Sequence, residues 1–146
     1  STKIETGKTE NCFTSTSNKG VTMQIWIQWP QGEITATLED TPTSRALLDA
    51  LPFESSANTW GDEIYFSVQL LTDLEKDAQQ VVDPGTVCFW TEGNALAIPF
   101  GPTPIAEGDE CRLVTACNVL GKVEGDPKTL SSVISGAAIS VELCTN

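Results

Sequence analysis

Val21-Thr22-Met23-Gln24-Ile25-Trp26-Ile27-Gln28-Trp29-Pro30-Gln31-Gly32-Glu33-Ile34-Thr35-Ala36-Thr37-Leu38 is the stretch that decides the fold class. Val21, Met23, Ile25, Ile27 and Trp29 alternate with Thr22, Gln24, Trp26 and Gln28. A period of two puts each set on its own face of an extended chain, so the segment predicts a strand. Pro30-Gln31-Gly32 supplies a turn, because proline presets its own φ and glycine adopts angles other residues avoid. Ile34, Ala36 and Leu38 then alternate with Glu33, Thr35 and Thr37, completing a β-hairpin with one buried face.

Downstream, Thr41 is placed as an N-cap, Pro42 suits the first helical position, and Leu47, Leu48 and Leu51 share a face. These signals predict a short helix that stops before Pro52. Strands are expected around Phe53 to Asn58 and from Glu63 to Leu70, with Ile64, Phe66 and Val68 on one face and Trp60-Gly61-Asp62 as the turn between them. Residues 72–82 are polar and predict at most a short helical turn. Asp83-Pro84-Gly85 leads into an apolar run from Thr86 to Trp90, and Glu92-Gly93-Asn94 turns the chain into Ala95 to Phe100. Trp29 to Gly32 and Trp90 to Gly93 share the spacing Trp-x-x-Gly, each followed by an alanine four residues on, which reads as repeated hairpin geometry rather than duplication. Residues 101–115 predict a long Gly/Pro-rich connection. A strand from Cys117 to Val123, a short helix from Pro127 to Ile134 capped by Asp126, and a closing strand from Ala138 to Cys144 complete the chain. Upstream, residues 1–20 form a polar, Ser/Thr-rich extension, which leaves 21–146 as the folded domain. Many short strands with one or two short helices predict a mainly β architecture, a barrel whose ends the helices plug.

Composition narrows the function classes. The 146 residues are the length of one domain. Twenty acidic residues against eight basic ones give a net charge of -12, a surface that repels phosphate backbones and anionic lipids, so neither nucleic acid nor membrane is an expected partner. No apolar run approaches the roughly 20 residues of a membrane span. The chain has no histidine, which removes the usual imidazole base, the Ser-His-Asp and Cys-His arrangements, and histidine-containing zinc sites. Carboxylates such as Asp62, Glu63, Asp109 and Glu110 remain, but they fit a solvated acidic loop better than a metal site, and no metal or other cofactor is expected. The five cysteines show no paired spacing, and Cys12 and Cys144 near the two ends leave a pairing open. With no glycosylation acceptor, the balance favours a reducing compartment and hence a cytoplasmic location.

Several strings carry a resemblance. Trp29-Pro30-Gln31-Gly32-Glu33, Ala36-Thr37-Leu38-Glu39-Asp40 and Leu51-Pro52-Phe53 are followed by Trp60-Gly61-Asp62-Glu63-Ile64-Tyr65-Phe66. Gly93-Asn94-Ala95-Leu96, Phe100-Gly101-Pro102-Thr103-Pro104 and Asn118-Val119-Leu120-Gly121-Lys122-Val123 come next, in collinear order over about residues 22–144. Together they resemble the cyclophilin-like family of small, uncharacterised bacterial and archaeal proteins. The resemblance implies a closed cyclophilin-like β-barrel in abbreviated form.

Three functions are weighed against it. The first is a binding module for a small molecule or a proline-containing peptide, with Trp60, Glu63, Tyr65, Trp90, Asn94 and Phe100 around the ligand; the alternative is that these aromatics are core packing. The second is weak prolyl isomerase activity, which needs an apolar pocket and a donor to the prolyl nitrogen. Active cyclophilins use an arginine in a Phe-His-Arg setting, which this chain lacks; of its two arginines, Arg45 falls on the predicted helix surface and Arg112 is the candidate donor. The third is self-association, residues 1–20 adding a strand to a neighbouring copy.

Overall fold

The structure, a computed structural model, describes residues 23–144. The extension at 1–20, its part in self-association, and the Cys12 half of any pairing with Cys144 lie outside those residues.

The opening hairpin follows from the alternation. β1 (Met23–Trp29) and β2 (Gly32–Leu38) pair antiparallel, from Trp29 opposite Gly32 to Met23 opposite Leu38. Ile25, Ile27, Trp29, Ile34, Ala36 and Leu38 are buried, as one face of a half-buried sheet requires. The polar face is less uniform: Gln24 is buried too, and its Nε2 donates to Oγ1 of Thr37, its register partner, at 3.2 Å.

Helix α1 (Pro42–Ala50) starts at Thr41, whose hydroxyl accepts the Ser44 N–H at 3.0 Å, and Thr43, Ser44 and Leu47 are its fully buried residues. It ends at Leu51, which a cis peptide bond joins to Pro52. The rest of the chain supplies β3 (Phe53–Thr59), β4 (Glu63–Ser67), β5 (Gln79–Val82), β6 (Thr86–Trp90), β7 (Ala95–Pro99), β8 (Cys111–Val123), a 3-10 helix (Pro127–Ser132) and β9 (Ala138–Leu143). Hydrogen-bonded neighbours run β2-β1-β9-β3-β4-β7-β6-β8. β8 then pairs back with β2, Leu38 opposite Gly121 and Ala36 opposite Val123, so these eight strands form a ring. β5 stands outside the ring, paired with the first half of β8.

The main core fills the ring. Ile25, Ile27, Leu38, Ile64, Phe66, Phe89, Leu96, Ile98 and Leu120 belong to it, and Leu47 of α1 and Leu130 and Val133 at the 3-10 helix join them. Gly121 sits where β2 and β8 meet: a Cβ there would lie 1.9 Å from the Thr37 carbonyl oxygen. Only glycine permits that approach.

Asn118 fixes the cover of the core from the same strand. Fully buried, it donates from Nδ2 to Thr43 Oγ1 (2.9 Å) and to the Asp73 carbonyl (2.8 Å), and its Oδ1 accepts the Glu75 N–H (2.7 Å). The Glu75 carboxylate in turn accepts from the Thr43 hydroxyl. One amide thereby ties β8 to the start of α1 and to the loop before β5.

Several boundaries differ from the sequence expectation, and β4 ends at Ser67 rather than Leu70. Residues 72–82 hold a strand at Gln79–Val82 where a helical turn was predicted, because that segment finds an edge of β8 to pair with. β8 begins at Cys111 rather than Cys117, inside the stretch predicted as connection, because Cys111 and Leu113 bury apolar surface there. The last helix is a shorter 3-10 segment.

Candidate functional site

Strand alternation sorts β4, β7 and β6 into two faces. Ile64, Phe66, Leu96, Ile98, Val87 and Phe89 point into the ring. Glu63, Tyr65, Ala97, Cys88 and Trp90 occupy the intervening positions and fall on the outer face. That face is covered as well. The first half of β8, with β5, lies over it as an arm, and Val82, Cys88, Ala97, Cys111, Leu113 and Cys117 form a second, smaller core, with Tyr65 and Trp90 packed against it.

A cavity of about 170 Å³ lies between arm and ring, lined by Trp60, Glu63, Tyr65, Trp90, Ala97, Leu113, Val114 and Cys117. An irregularity shapes its outer wall. β5 and β8 match at Gln79 opposite Cys117 and at Val81 opposite Arg112, so residues 113–116 are not paired one to one. The consecutive Leu113 and Val114 therefore both line the cavity, which a regular strand would forbid.

Turns hold the aromatic residues in place. The Trp60 N–H donates to the Glu63 carbonyl at 2.9 Å, and Gly61 takes φ +59, the left-handed region that glycine enters without strain. The Asp62 N–H donates to the Pro102 carbonyl (3.1 Å) and the Phe100 N–H to the Asp62 carbonyl (2.8 Å), so the Gly101–Pro104 loop is clamped onto this turn. At the other hairpin Trp90 lies over Gly93, where a Cβ would come within 2.3 Å of the ring.

Two buried polar atoms in this lining have no hydrogen-bond partner: Glu63 Oε1 and Trp90 Nε1. Glu63 is only 5% exposed, and burial pushes its carboxyl from 4.5 up to about 7. Among the described residues no lysine or arginine lines the cavity to offset it. The Cys117 thiol is pushed up to about 12, by burial first and then by the Glu63 and Glu92 carboxylates, and burial likewise raises Cys88. These thiols are protonated at neutral pH and are not nucleophiles.

Of the residues named from sequence, Trp60, Glu63, Tyr65 and Trp90 meet in the cavity. Asn94 lies instead in the β6–β7 turn at φ 49, its carbonyl accepting the Val68 N–H at 3.0 Å. Phe100 is part of the ring core, 8% exposed. Arg112 stands between the inward-facing Cys111 and Leu113, which turns it away from the cavity; its Nε donates to Glu110 Oε2 at 2.5 Å. Arg45 is an exposed partner of Asp40 at 2.7 Å. Sequence reasoning missed Ala97, Leu113, Val114 and Cys117. Ala97 was legible from the alternation of β7, and Cys117 opens the strand predicted from sequence; Leu113 and Val114 lie on the part of β8 that only the tertiary fold creates. Among the described residues no group of three or more His, Cys, Asp or Glu side chains is placed to hold a metal ion, and no helix is long and apolar enough to cross a membrane.

Residues 22–142 match the family described as Cyclophilin-like. No curated protein matches the chain. The solution structure of the hypothetical protein AF2241 from Archaeoglobus fulgidus is similar, with a TM-score of 0.73 and 37% sequence identity over 86% of this chain and 97% of that one.

Proposed function

Because the chain belongs to the cyclophilin-like family, whose barrel is a scaffold rather than an activity, we propose that it is a small-ligand-binding module acting through the cavity between ring and arm. One observation carries the reading: Glu63 Oε1 and Trp90 Nε1 are both buried without a partner, and both residues line the same cavity. Leaving a buried polar atom unpaired costs about 1–3 kcal/mol. Two such atoms at one site are what a polar ligand would satisfy. The size also fits, since a cavity of about 150 Å³ holds a benzene-sized molecule.

Isomerase activity has less support. Its candidate donor, Arg112, is held by Glu110 and lies off the cavity, so the site offers an apolar pocket without a cation to polarise a prolyl amide.

The test is an NMR titration of the whole chain with a mixed library of charged and neutral fragments of about six to ten non-hydrogen atoms, following the indole N–H signals of Trp60 and Trp90. The reading expects saturable shifts of both signals, with the Trp90 shift lost in Trp60→Ala while the amide spectrum stays that of a folded chain. A library that shifts neither signal refutes it.

A further inference from the structure

The chemistry of the cavity wall also narrows the class of ligand, an inference that rests on the binding reading above. Glu63 supplies a carboxylate, Trp60, Tyr65 and Trp90 supply aromatic rings, and among the described residues no basic side chain lines the cavity. Aromatic faces carry negative electrostatic potential and attract cations, more strongly where water is excluded. A carboxylate buried without a counter-charge is costly, and a bound cation removes that cost. An anionic ligand would meet the Glu63 carboxylate, the ring faces and a chain of net charge -12 with nothing to offset them. The other buried polar atom without a partner, Trp90 Nε1, is a donor only and asks for an acceptor.

We propose that the cavity takes a small organic cation, an amine or quaternary ammonium that also carries a hydroxyl or carbonyl oxygen. Its positive nitrogen lies against Glu63 among Trp60, Tyr65 and Trp90. Its oxygen accepts from Trp90 Nε1, and its methyl or methylene groups meet Ala97 and Leu113.

Choline and its uncharged carbon analogue, in which a quaternary carbon replaces the nitrogen, separate charge from shape. Both are titrated into the full chain at low ionic strength and about pH 8, where Glu63 is ionised, with ethanolamine as a primary amine. The expected result is that choline or ethanolamine shifts the Trp60 and Trp90 indole signals, with choline saturating at a concentration at least about tenfold below its neutral analogue. Glu63→Gln erases that preference. Equal binding of the neutral analogue, an unchanged preference in Glu63→Gln, or no shift with either cation overturns the proposal. Neutral fragments that bind where the cations do not leave the binding module standing and remove only the cation; a site that takes nothing removes both. Should Glu63→Gln fail to fold, Tyr65→Leu takes its place, with a selective loss of choline affinity expected and an unchanged affinity counting against the cage.

Discussion

Trp29 and Trp90 each open a Trp-x-x-Gly string at the end of a strand, Trp29 pairing with Gly32 across a two-residue turn and Trp90 with Ala95 across a four-residue one, and of the two only Trp29 has its indole N–H satisfied. Each ring covers the glycine three residues on, and a Cβ would come within 3.1 Å of the Trp29 ring at Gly32 and 2.3 Å of the Trp90 ring at Gly93. Trp29 Nε1 donates to Ser132 Oγ at 2.8 Å, whereas Trp90 Nε1 is buried beside the cavity with no protein acceptor. The contact of ring and glycine repeats, while the turn beneath it and the use made of the ring differ.

That difference is measurable in the absence of any ligand. Ser132→Ala leaves Trp29 Nε1 without its acceptor and is expected to cost about 1–2 kcal/mol. Trp90→Phe breaks no protein hydrogen bond and trims a ring that borders open space, so it should stay within about 0.5 kcal/mol of the parent. Urea unfolding midpoints of the two variants check the contrast.

Glu63 makes stability fall with rising pH. Its folded carboxyl titrates at about 7 against 4.5 without burial, so between those values the folded state holds more protons than the unfolded one. Stability therefore declines as pH rises from 4.5 to about 7, by about 3 kcal/mol at most, and the loss is complete above that window. The groups around it are Tyr65 on its own strand, Cys88 on β6 and Cys111 and Cys117 on β8, with Asp62 next in sequence; the thiols are pushed up and stay neutral there. Glu63→Gln should flatten this part of the profile and be the more stable protein at about pH 8, as read by urea unfolding across the window.

The same carboxyl should gate cation binding. Below about pH 7 it takes up a proton, and choline affinity is expected to fall by up to about tenfold per pH unit. In Glu63→Gln the affinity should be low and flat with pH.

Asn118 is expected to be the costliest polar residue to lose. Asn118→Ala strips the side-chain partner from the Asp73 carbonyl and the Glu75 N–H at once, and removes one of several partners from the Thr43 hydroxyl. A loss of about 2–4 kcal/mol should follow. Amide exchange should rise first in residues 71–78, which that side chain holds in place.

Gly121→Ala tests the ring closure. Its Cβ would meet the Thr37 carbonyl oxygen at 1.9 Å, a backbone atom that cannot rotate aside. The expected outcome is a loss above about 3 kcal/mol, or failure to fold, read by thermal unfolding. A Gly108→Asn control should be tolerated, since that glycine faces open space and asparagine accepts its φ of +76.

How far the sequence speaks can be judged from particular residues. The alternation in β1 and β2 was visible because each strand has one face on the core. The ring was implied by the family strings, since periodicity alone does not say which edges meet. Trp60, Glu63, Tyr65 and Trp90 stood out because aromatics beside a lone carboxylate need an explanation wherever they fold. Phe100 stood out equally and belongs to the core, because an apolar ring suits either place. The arm was hidden. Cys111 to Ala116 carries glycines and prolines before it and no clean alternation, and its strand exists only because the outer face of β4, β7 and β6 is there to be covered. Cavity residues on that arm could not be found by any local signal.

β8 runs through both hydrophobic layers, its first half in the arm and its second half in the ring, and β5 has no other neighbour than β8 in the sheet order. The chain thus contains two cooperative units of unequal size that share one strand. Lifting the smaller one requires giving up only the contacts beneath it, while the ring keeps its closure. A molecule held between them has an exit that never passes through global unfolding. Its residence time would follow the free energy of that local opening, whereas the lifetime of the domain would follow the seam between β2 and β8. On the binding proposal, dwell time and durability would be set at two different places in the fold, so either could change without dragging the other along.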